Sequence, residues 1–288
     1  MTEKPLFNTA VIIGVGLIGG SIARVLKNRG LAKRVIGAGR GEANLKAALE
    51  LGIIDEALPA AEAVTNADFI VLCPPVLSII PTLAAIAPHI QKGALVTDGG
   101  STKKEIVERG EKIAAGKFTF IGSHPIAGTE KSGAAASFET LFENHQCIVT
   151  PTPRTPKGEL EKLVAFWREA GMKTVIMDPA THDTVMGAVS HLPHLVVYAL
   201  VNAVAEMEGG ENLLTFAAGG FRDFTRIAGS PPEMWADIAL ANGTAMLEMS
   251  AAVRGNLAAI EDAIRAGDRE ALMLMFKRAN EFRGKLNK

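Results

Sequence analysis

Cysteine and net charge are both scarce in this sequence. The 288 residues include two cysteines, Cys73 and Cys147, which are too few for a disulfide framework and belong to no Cys/His cluster of zinc spacing. Lys and Arg total 30 against 31 Asp and Glu, so the formal charge of −1 creates no global field that would attract nucleic acid. We therefore expect a cytoplasmic protein that does not bind nucleic acid.

The sequence also lacks an unbroken hydrophobic run of membrane-spanning length. The most apolar stretch, residues 67–90, is interrupted by prolines, so it falls short of the roughly 20 residues that a span requires. It predicts a buried strand followed by a helix. The N-terminus, MTEKPLFNTA, lacks the cationic and apolar pattern of a signal peptide. We expect no association with a membrane.

The pattern of strands and helices indicates two domains. Short β-branched runs alternate with helical patterns over residues 1–178, which predicts a largely parallel sheet covered on both faces. Residues 179–288 carry long helical patterns rich in Ala, Met and Leu. We expect an α/β fold, with a Rossmann-type dinucleotide-binding domain at 1–178 and an all-α domain at 179–288 for substrate binding and dimerisation. Strands are predicted at 10–14, 34–39, 68–73, 94–98, 118–122, 146–150 and 173–177.

Within the helical part, residues 239–264 are more apolar than an ordinary surface helix. A helix of that composition is expected to be buried on several sides. This favours a homodimer formed through the helical domain.

A glycine-rich pattern follows the first predicted strand and opens the first predicted helix. In this context Gly14, Gly16 and Gly19 predict a dinucleotide site, because glycines there allow a tight turn and close approach of the backbone to a pyrophosphate. Leu17 and Ile18 lie between the second and third glycines and belong to the same candidate cofactor site. The alternative is a glycine-rich turn that binds nothing.

The end of the second predicted strand bears on the choice between NAD and NADP. A carboxylate about 20 residues after the glycines binds the ribose 2′-hydroxyl of NAD, whereas a cation accepts the 2′-phosphate of NADP. Gly39 and Arg40 occupy this place, so the sequence lacks the usual NAD determinant and leans towards NADP. The alternative for Arg40 is a solvated loop cation, and NAD binding remains open.

Among the six histidines, His124 is the candidate catalytic base. It follows a predicted parallel strand, and ligands of such sheets bind at the carboxyl ends of the strands. An imidazole there can accept a hydroxyl proton at neutral pH. Structural or solvent-exposed roles are expected for His89, His145 and His182.

Two further groups of polar residues lie in the helical part. His191 and His194 could share a helix face and bind a metal, but only Asp183 offers a third ligand, so we expect no metal site. Arg222 and Arg226 could clamp a substrate carboxylate. The alternative is a surface ion pair between Asp223 and Arg226.

Four blocks of the chain resemble the prephenate/arogenate dehydrogenase family of tyrosine biosynthesis. They are GVGLIGGS after the first strand, DGGSTKKEI at 98–106, GSHPIAGTEKSG at 122–133, and SHLPHLVVYAL together with GGFRDFTRIAGSPPEMWADI within 190–238. The last three blocks are specific and stand in the family's order. The resemblance covers nearly the whole chain.

The resemblance implies an NAD(P)-dependent oxidative decarboxylation of prephenate to 4-hydroxyphenylpyruvate. A hydride leaves ring C4 for the nicotinamide, the C4 hydroxyl loses its proton, and the ring carboxylate departs as carbon dioxide. By motif position His124 is the base, Ser101 orients His124 or the substrate, Arg226 holds a substrate carboxylate and Asp223 orients Arg226. The resemblance also implies that the remaining substrate residues are His194, His191, Glu130 and Trp235.

Other functions stay open at this stage. The substrate of the family is prephenate, arogenate or both, and the two differ only in a keto or an amino group. A β-hydroxyacid dehydrogenase would use a lysine of the second domain, but residues 174–276 contain none. A dinucleotide-binding sensor without chemistry is the alternative from another class. No chorismate mutase segment precedes residue 10 and no regulatory domain follows residue 288, which predicts a monofunctional enzyme.

Overall fold

An eight-stranded sheet forms the centre of the first of two compact units. The computed structural model describes residues 5–129 and 131–287, and the units are Met1–Asn242 and Gly243–Lys288. The strands are β1 (Phe7–Ile13), β2 (Ala32–Ala38), β3 (Glu56–Ala57), β4 (Phe69–Leu72), β5 (Leu95–Asp98), β6 (Thr119–Ile126), β7 (Gln146–Thr150) and β8 (Lys173–Ile176). Their order across the sheet is β3-β2-β1-β4-β5-β6-β7-β8.

Most neighbouring strands run in parallel, as the sequence predicted. Every pair from β3 to β6 is parallel, β7 is antiparallel to β6, and β8 is parallel to β7. The reversal at β7 has a local cause, because the described residues that join β6 to β7 form only short 3₁₀ turns, Ala134–Ala136 and Glu139–Phe142. Antiparallel neighbours need no crossover helix, whereas parallel neighbours do.

Helices between the strands cover the sheet on both faces. Neighbouring residues of β1 belong to different apolar clusters, with Ile12 in one and Val11 and Ile13 in the other. This alternation follows from the pleat of a strand that is buried on both sides. The helices of this part are α1 (Leu17–Asn28), α2 (Glu42–Glu50), α3 (Ala60–Ala63), α4 (Ile79–Ile86), α5 (Lys104–Ala114) and α6 (Lys157–Glu169). The apolar stretch 67–90 contains the buried strand β4 followed by α4, which confirms that prediction.

The rest of the first unit is helical. It contains α7 (Pro179–Met186), α8 (Leu192–Ala205), α9 (Gly210–Leu213), α10 (Gly219–Thr225) and α11 (Pro232–Ala241). A π-helical turn, Gly187–His191, joins α7 to α8. By length and composition alone the segment Pro179–Ala205 could cross a membrane. Its polar residues His182, Asp183 and His191 are buried and hydrogen-bonded within the unit, so we interpret it as a helical segment of a folded domain.

The second unit consists of α12 (Gly243–Ala266), α13 (Arg269–Arg283) and a short 3₁₀ turn. The apolar segment 239–264 is therefore not one helix, because Asn242 ends α11 before α12 begins. In the single chain only Met246 and Ala263 of α12 are buried, so burial on several sides would require another subunit and stays a prediction. Large apolar side chains are instead exposed on the two helices: Leu247, Leu257, Ile264, Met273, Leu274, Phe276 and Phe282.

Candidate active site

The turn between β1 and α1 carries the three glycines of the motif. Gly14 has a φ of +93°, and a Cβ there would lie 2.7 Å from the carbonyl oxygen of Cys73. A Cβ on Gly19 would collide with the carbonyl oxygen of Gly14, so a glycine is needed for α1 to pack this close to the turn. A Cβ on Gly16, in contrast, meets no heavy atom within 4 Å. Two of the glycines are thus required by packing, and the third borders open space.

The open space at Gly16 suits the pyrophosphate of a dinucleotide. Gly16 is the N-cap of α1 and has no side chain to bind the first amides of the helix, so these amides are available to an anion. Leu17 is buried in the first turn of the helix. The Cγ2 atom of Ile18 would lie 3.5 Å from a Cβ on Gly99, at the end of β5. The residues present therefore fit the group that the motif predicts.

Gly39 and Arg40 follow the end of β2, and both are exposed. A Cβ on Gly39 would lie 4.0 Å from the Cα atom of Gly14, which is ordinary van der Waals distance. A side chain at position 39 would thus fit beside the glycine turn. Arg40 lies at the same edge of the sheet. A cation that recognises a 2′-phosphate has to lie there.

His124 lies within β6, where the sequence placed it after the strand. Residues Gly122–Ile126 extend beyond the last pair that β6 forms with β5, and they pair antiparallel with β7, so that His124 faces Ile148. The correction has a long-range cause, because the partner strand is supplied by residues 146–150. The side chain is 8% exposed.

A chain of three side chains begins at His124. Its Nδ1 atom lies 2.9 Å from Nε2 of His182 on α7, and Nδ1 of His182 lies 2.8 Å from Oδ1 of Asp183. The sequence grouped His182 with structural or solvent-exposed histidines, and the solvent part was wrong because the residue is fully buried. Among the described residues, no hydrogen bond reaches Nε2 of His124.

Asp183 also caps a helix that belongs to a different part of the chain. Its Oδ1 accepts a hydrogen bond from the amide of Lys103 at 2.7 Å, and its Oδ2 accepts one from the amide of Lys104 at 2.9 Å. Lys103 is the N-cap residue of α5, and its own side chain does not cap the helix. The carboxylate thus binds the positive end of α5 and anchors α7 there.

Burial and neighbouring charges shift the proton affinities of these groups. Burial, together with His182, Lys103 and His191, holds the pKa of His124 well below its usual value. Burial likewise lowers the pKa of His182, although Asp183 opposes the shift. For Asp183 itself burial raises the pKa, but His182 and the two amides of α5 outweigh it and leave the pKa below its ordinary value. Both histidines are therefore neutral at pH 7 and Asp183 is ionised.

Lys103 and Asp98 form a buried ion pair near His124. Lys103 and Asp98 are fully buried and hydrogen-bonded to each other. The Asp98 carboxylate also accepts the amides of Gly100, at 2.8 Å, and of Ser123, at 3.3 Å. The hydroxyl of Ser123 donates to the Asp98 carbonyl oxygen at 2.6 Å. These contacts tie the end of β5 to the strand residue that precedes His124.

His191 and His194 have different surroundings. His191 is 1% exposed, and its Nδ1 accepts a hydrogen bond from the side-chain amide of Asn242 at 3.0 Å. The same amide donates to the carbonyl oxygen of Asp183 at 2.8 Å. Burial lowers the pKa of His191 to about 4. In the described part of the chain, no group of three or more His, Cys, Asp or Glu side chains is placed to hold a metal ion.

His194 packs face to face against Trp235 of α11. The ring centroids are 3.5 Å apart and the planes differ by 19°, whereas His191 approaches the same indole edge-on at 6.1 Å. The indole Nε1 of Trp235 is buried, and among the described residues it has no hydrogen-bond partner. Burial lowers the pKa of His194, and the positive charge of Arg226 adds to the shift. The 3₁₀ turn that contains Arg226 packs against α8, the helix that carries His194.

Asp223, in α10, and Arg226, in the 3₁₀ turn that follows this helix, are both exposed. The ion pair between them, offered as the alternative to a carboxylate clamp, is not formed among the residues that the structure describes. Arg222 donates to the carbonyl oxygen of Ala217 at 3.0 Å instead.

Both parts of the chain match models of one protein family. The family model described as "Prephenate dehydrogenase, nucleotide-binding domain" matches residues 22–176, and "Prephenate dehydrogenase, dimerization domain" matches residues 178–278. The chain belongs to the prephenate dehydrogenase family. It is 37% identical to a prephenate dehydrogenase of Bacillus subtilis over 96% of this chain and 75% of that protein. It is 33% identical to a cyclohexadienyl dehydrogenase of Zymomonas mobilis over 96% of both chains.

A solved structure of the family has the same fold. The chain is similar to prephenate dehydrogenase from A. aeolicus in complex with hydroxyphenyl propionate and NAD+, with a TM-score of 0.89 and 35% identity. The match covers 97% of this chain and 98% of that one. Since a member of the family binds NAD+, the fit of the glycine turn to a nicotinamide dinucleotide agrees with the family.

The family resemblance also implies that Ser101 and Glu130 belong to the site. Ser101 is half-buried, but the ring of His124 is held by His182, and no hydrogen bond joins Ser101 to His124 among the described residues. Whether Ser101 orients His124 or the substrate stays a prediction. Glu130 lies outside the described residues.

Sequence reasoning missed the role of three residues in this family member. His182 and Asp183 were not connected to His124, and Asn242 was treated as part of an apolar helix. The available signal was weak: a His-Asp dipeptide near the start of a helix that Asp178 caps. Because 58 residues separate His124 from His182, only the folded chain brings them together.

Proposed function

We propose that the chain catalyses the oxidative decarboxylation of prephenate to 4-hydroxyphenylpyruvate, in tyrosine biosynthesis. The observation that carries the proposal is the buried, neutral His124, with Nδ1 bound by His182, in the sheet that also bears the glycine turn. Family membership supports the same reaction. A neutral imidazole with one nitrogen engaged and the other available is the group that a general base requires.

In this reaction His124 accepts the proton of the C4 hydroxyl at Nε2 as the C4–O bond gains double-bond character. A bound nicotinamide supplies the oxidant and accepts the hydride of C4. The bond to the ring carboxylate then breaks, its electron pair stays in the ring, and carbon dioxide leaves. Aromatisation drives this step, and His124 returns the proton to the ring oxygen. The site thus needs a base that is neutral before the reaction and cationic only during it.

Substrate carboxylates require a cation and donors near His124. We assign Arg226 to a carboxylate because it is exposed and forms no ion pair with Asp223 among the described residues, so its guanidinium is free for a bidentate contact. The family resemblance implies that Asp223 orients Arg226, but no ion pair joins the two among the described residues. The stacked pair His194 and Trp235 forms the adjoining wall, where the buried indole Nε1 can donate to bound substrate. His191, Ser101 and Glu130 complete the proposed substrate residues.

For the cofactor we propose binding of NADP at least as well as NAD. Gly39 offers no carboxylate to repel a 2′-phosphate, and the exposed Arg40 lies at the same edge of the sheet. The glycine turn serves both cofactors equally, since it contacts only the pyrophosphate.

We propose in addition that residues 1–178 bind the dinucleotide and that residues 179–288 bind substrate and form a homodimer. The exposed apolar side chains of α12 and α13 support the dimer, because seven large ones are exposed on two helices that pack together, and a large exposed apolar surface marks an interaction site. The matching family model carries the words "dimerization domain". We place this enzyme of tyrosine biosynthesis in the cytoplasm.

A steady-state comparison of prephenate and arogenate, each with NAD and NADP, tests the proposal. We expect turnover of prephenate, read as formation of reduced dinucleotide and of 4-hydroxyphenylpyruvate. Preference for arogenate would move the chain to arogenate dehydrogenase, and equal use would make it a cyclohexadienyl dehydrogenase, the name of the Z. mobilis relative. If the dinucleotide binds but neither substrate is oxidised, the chain is a sensor and the proposal is wrong.

A further inference from the structure

The hydrogen bonds that run from Asp183 to His124 have a direction. We propose that Asp183 and His182 are positioning residues that hold His124 in the tautomer protonated on Nδ1, so that Nε2 is the nitrogen left to accept a proton. The inference rests on the proposed function in one respect, because it explains how His124 is prepared to act as a base there.

The direction starts at Asp183. An ionised carboxylate only accepts hydrogen bonds, and this one already accepts the amides of Lys103 and Lys104 at 2.7 and 2.9 Å. These two bonds fix both oxygens at the N-terminus of α5, so the carboxylate cannot turn away from His182. Asp183 therefore presents an acceptor, at a fixed position, to Nδ1 of His182.

The position of the proton on each imidazole ring then determines its position on the next. With Asp183 as acceptor, Nδ1 of His182 must carry the proton that makes the 2.8 Å bond. In a neutral imidazole the other nitrogen is then an acceptor, so Nε2 of His182 presents a lone pair. The 2.9 Å contact with His124 requires a donor on the other side, which places a proton on Nδ1 of His124. The lone pair of His124 is consequently on Nε2.

The charged groups around His124 decide which carboxylate stabilises its protonated form. The groups that face it are His182 from α7, Lys103 ahead of α5, His191 from the π-helical turn, and Asp98 and Cys147 from neighbouring strands. The charge of Asp98 is offset by Lys103, which is bonded to it. Asp183 is thus the carboxylate that hydrogen bonds connect to His124, and it stabilises the imidazolium that forms when His124 accepts a proton.

The first test compares Asp183→Asn with Asp178→Asn. Each change removes a carboxylate that caps a helix. Asp183 caps α5, whereas Asp178 caps only its own helix, α7, through the amides of Ala180 and Thr181. We expect Asp183→Asn to lower kcat by about 10- to 100-fold, the effect of losing a charged hydrogen bond, with KM within threefold. Asp178→Asn should change only the melting temperature. Equal kcat values for the two variants would overturn the proposal.

The second test keeps or removes the acceptor at His182, in case Asp183→Asn weakens the fold. In His182→Gln the amide oxygen can take the place of Nε2 and accept from His124, whereas His182→Phe keeps the ring volume without an acceptor. We expect kcat of the glutamine variant to exceed that of the phenylalanine variant by about tenfold or more. A purely structural role predicts the opposite order, because phenylalanine fills the buried site better.

The tautomer itself is measured by nitrogen NMR of enzyme labelled in its histidine rings, with His124→Asn used to assign the signal. We expect His124 and His182 of the wild type to be protonated on Nδ1 at pH 7. In His182→Phe the signal of His124 should shift towards the other tautomer, and in His182→Gln it should not. A wild-type His124 protonated on Nε2 overturns the proposal even if the enzyme oxidises prephenate. If the enzyme oxidises neither substrate, the same spectrum still decides the tautomer.

Discussion

The imidazole of His194 lies flat against the indole of Trp235, with ring centroids 3.5 Å apart. The stacking fixes the orientation of the histidine, whose Nδ1 lies 2.9 Å from the carbonyl oxygen of Ser190 one helical turn earlier. It also leaves the indole N–H buried and without a partner among the described residues. A buried donor of this kind is costly unless a bound molecule accepts from it.

Trp235→Phe should therefore weaken substrate binding without slowing the chemical step. The phenyl ring preserves the stacking on His194 but removes the donor. We expect KM for prephenate to rise by about 3- to 10-fold, with kcat within twofold, from a net hydrogen bond worth roughly 1 kcal/mol. Steady-state kinetics at saturating dinucleotide measure both constants. A fall in kcat with unchanged KM would show that the indole N–H does not contact the substrate in its ground state.

His124→Asn should abolish most of the turnover and preserve binding. The asparagine amide can still donate to Nε2 of His182, so the buried contact survives, but it cannot accept a substrate proton. We expect kcat to fall by roughly 10²–10⁴-fold while substrate affinity stays within a few-fold. Single-turnover kinetics measure the fall in rate, and a binding titration measures the substrate affinity. A variant with near-normal kcat would remove His124 from the mechanism.

Arg226→Ala should raise KM for prephenate by about tenfold or more, because a charged contact to a carboxylate contributes roughly 1.5–3 kcal/mol. Arg226→Lys should restore part of the affinity, since lysine keeps the charge but not the planar fork. Arg222→Ala is the matched control, because this neighbour bonds to a backbone carbonyl. An unchanged KM in Arg226→Ala would exclude the carboxylate contact.

Gly39→Asp should shift the cofactor preference towards NAD. The structure has room for the new side chain, since its Cβ would lie 4.0 Å from Gly14. A carboxylate there can bind the 2′-hydroxyl of NAD and repel the 2′-phosphate of NADP, which is worth roughly 1–3 kcal/mol. The ratio of kcat/KM for the two cofactors measures the shift. If the wild type already prefers NAD by tenfold or more, Arg40 does not contact the cofactor.

Stability should fall as the pH is lowered from about 6.5 towards 4. The pKa of His191 is lowered from 6.5 to about 4, and those of His124 and His182 are lowered too, so the unfolded chain binds more protons than the folded one in this window. The contribution of His191 is present above pH 6.5 and amounts to at most about 3 kcal/mol. His191→Asn can still accept from Asn242, and it should flatten the dependence of melting temperature on pH. An equally steep dependence in that variant would contradict the assignment to His191.

Local pattern was sufficient for the fold class and for part of the site. The β-branched runs predicted each of the longer strands, and the glycine spacing located the turn where Gly14 and Gly19 are required by packing. The two-residue strand β3 was not predicted, because so short a segment has no periodicity. His124 was found from its motif and from its place just after the predicted strand at 118–122, although the observed strand β6 extends past it.

The sequence by itself determined the alternation of strands and helices, the glycine turn and the candidate base, since each depends on residues that are neighbours along the chain. Only the tertiary structure decided how the base is held. The contact of His124 with His182, the capping of α5 by Asp183 and the bond of Asn242 to His191 join residues 51 to 80 positions apart. No local periodicity encodes such pairs, because they arise when the helices pack against the end of the sheet, where buried polar groups must find partners.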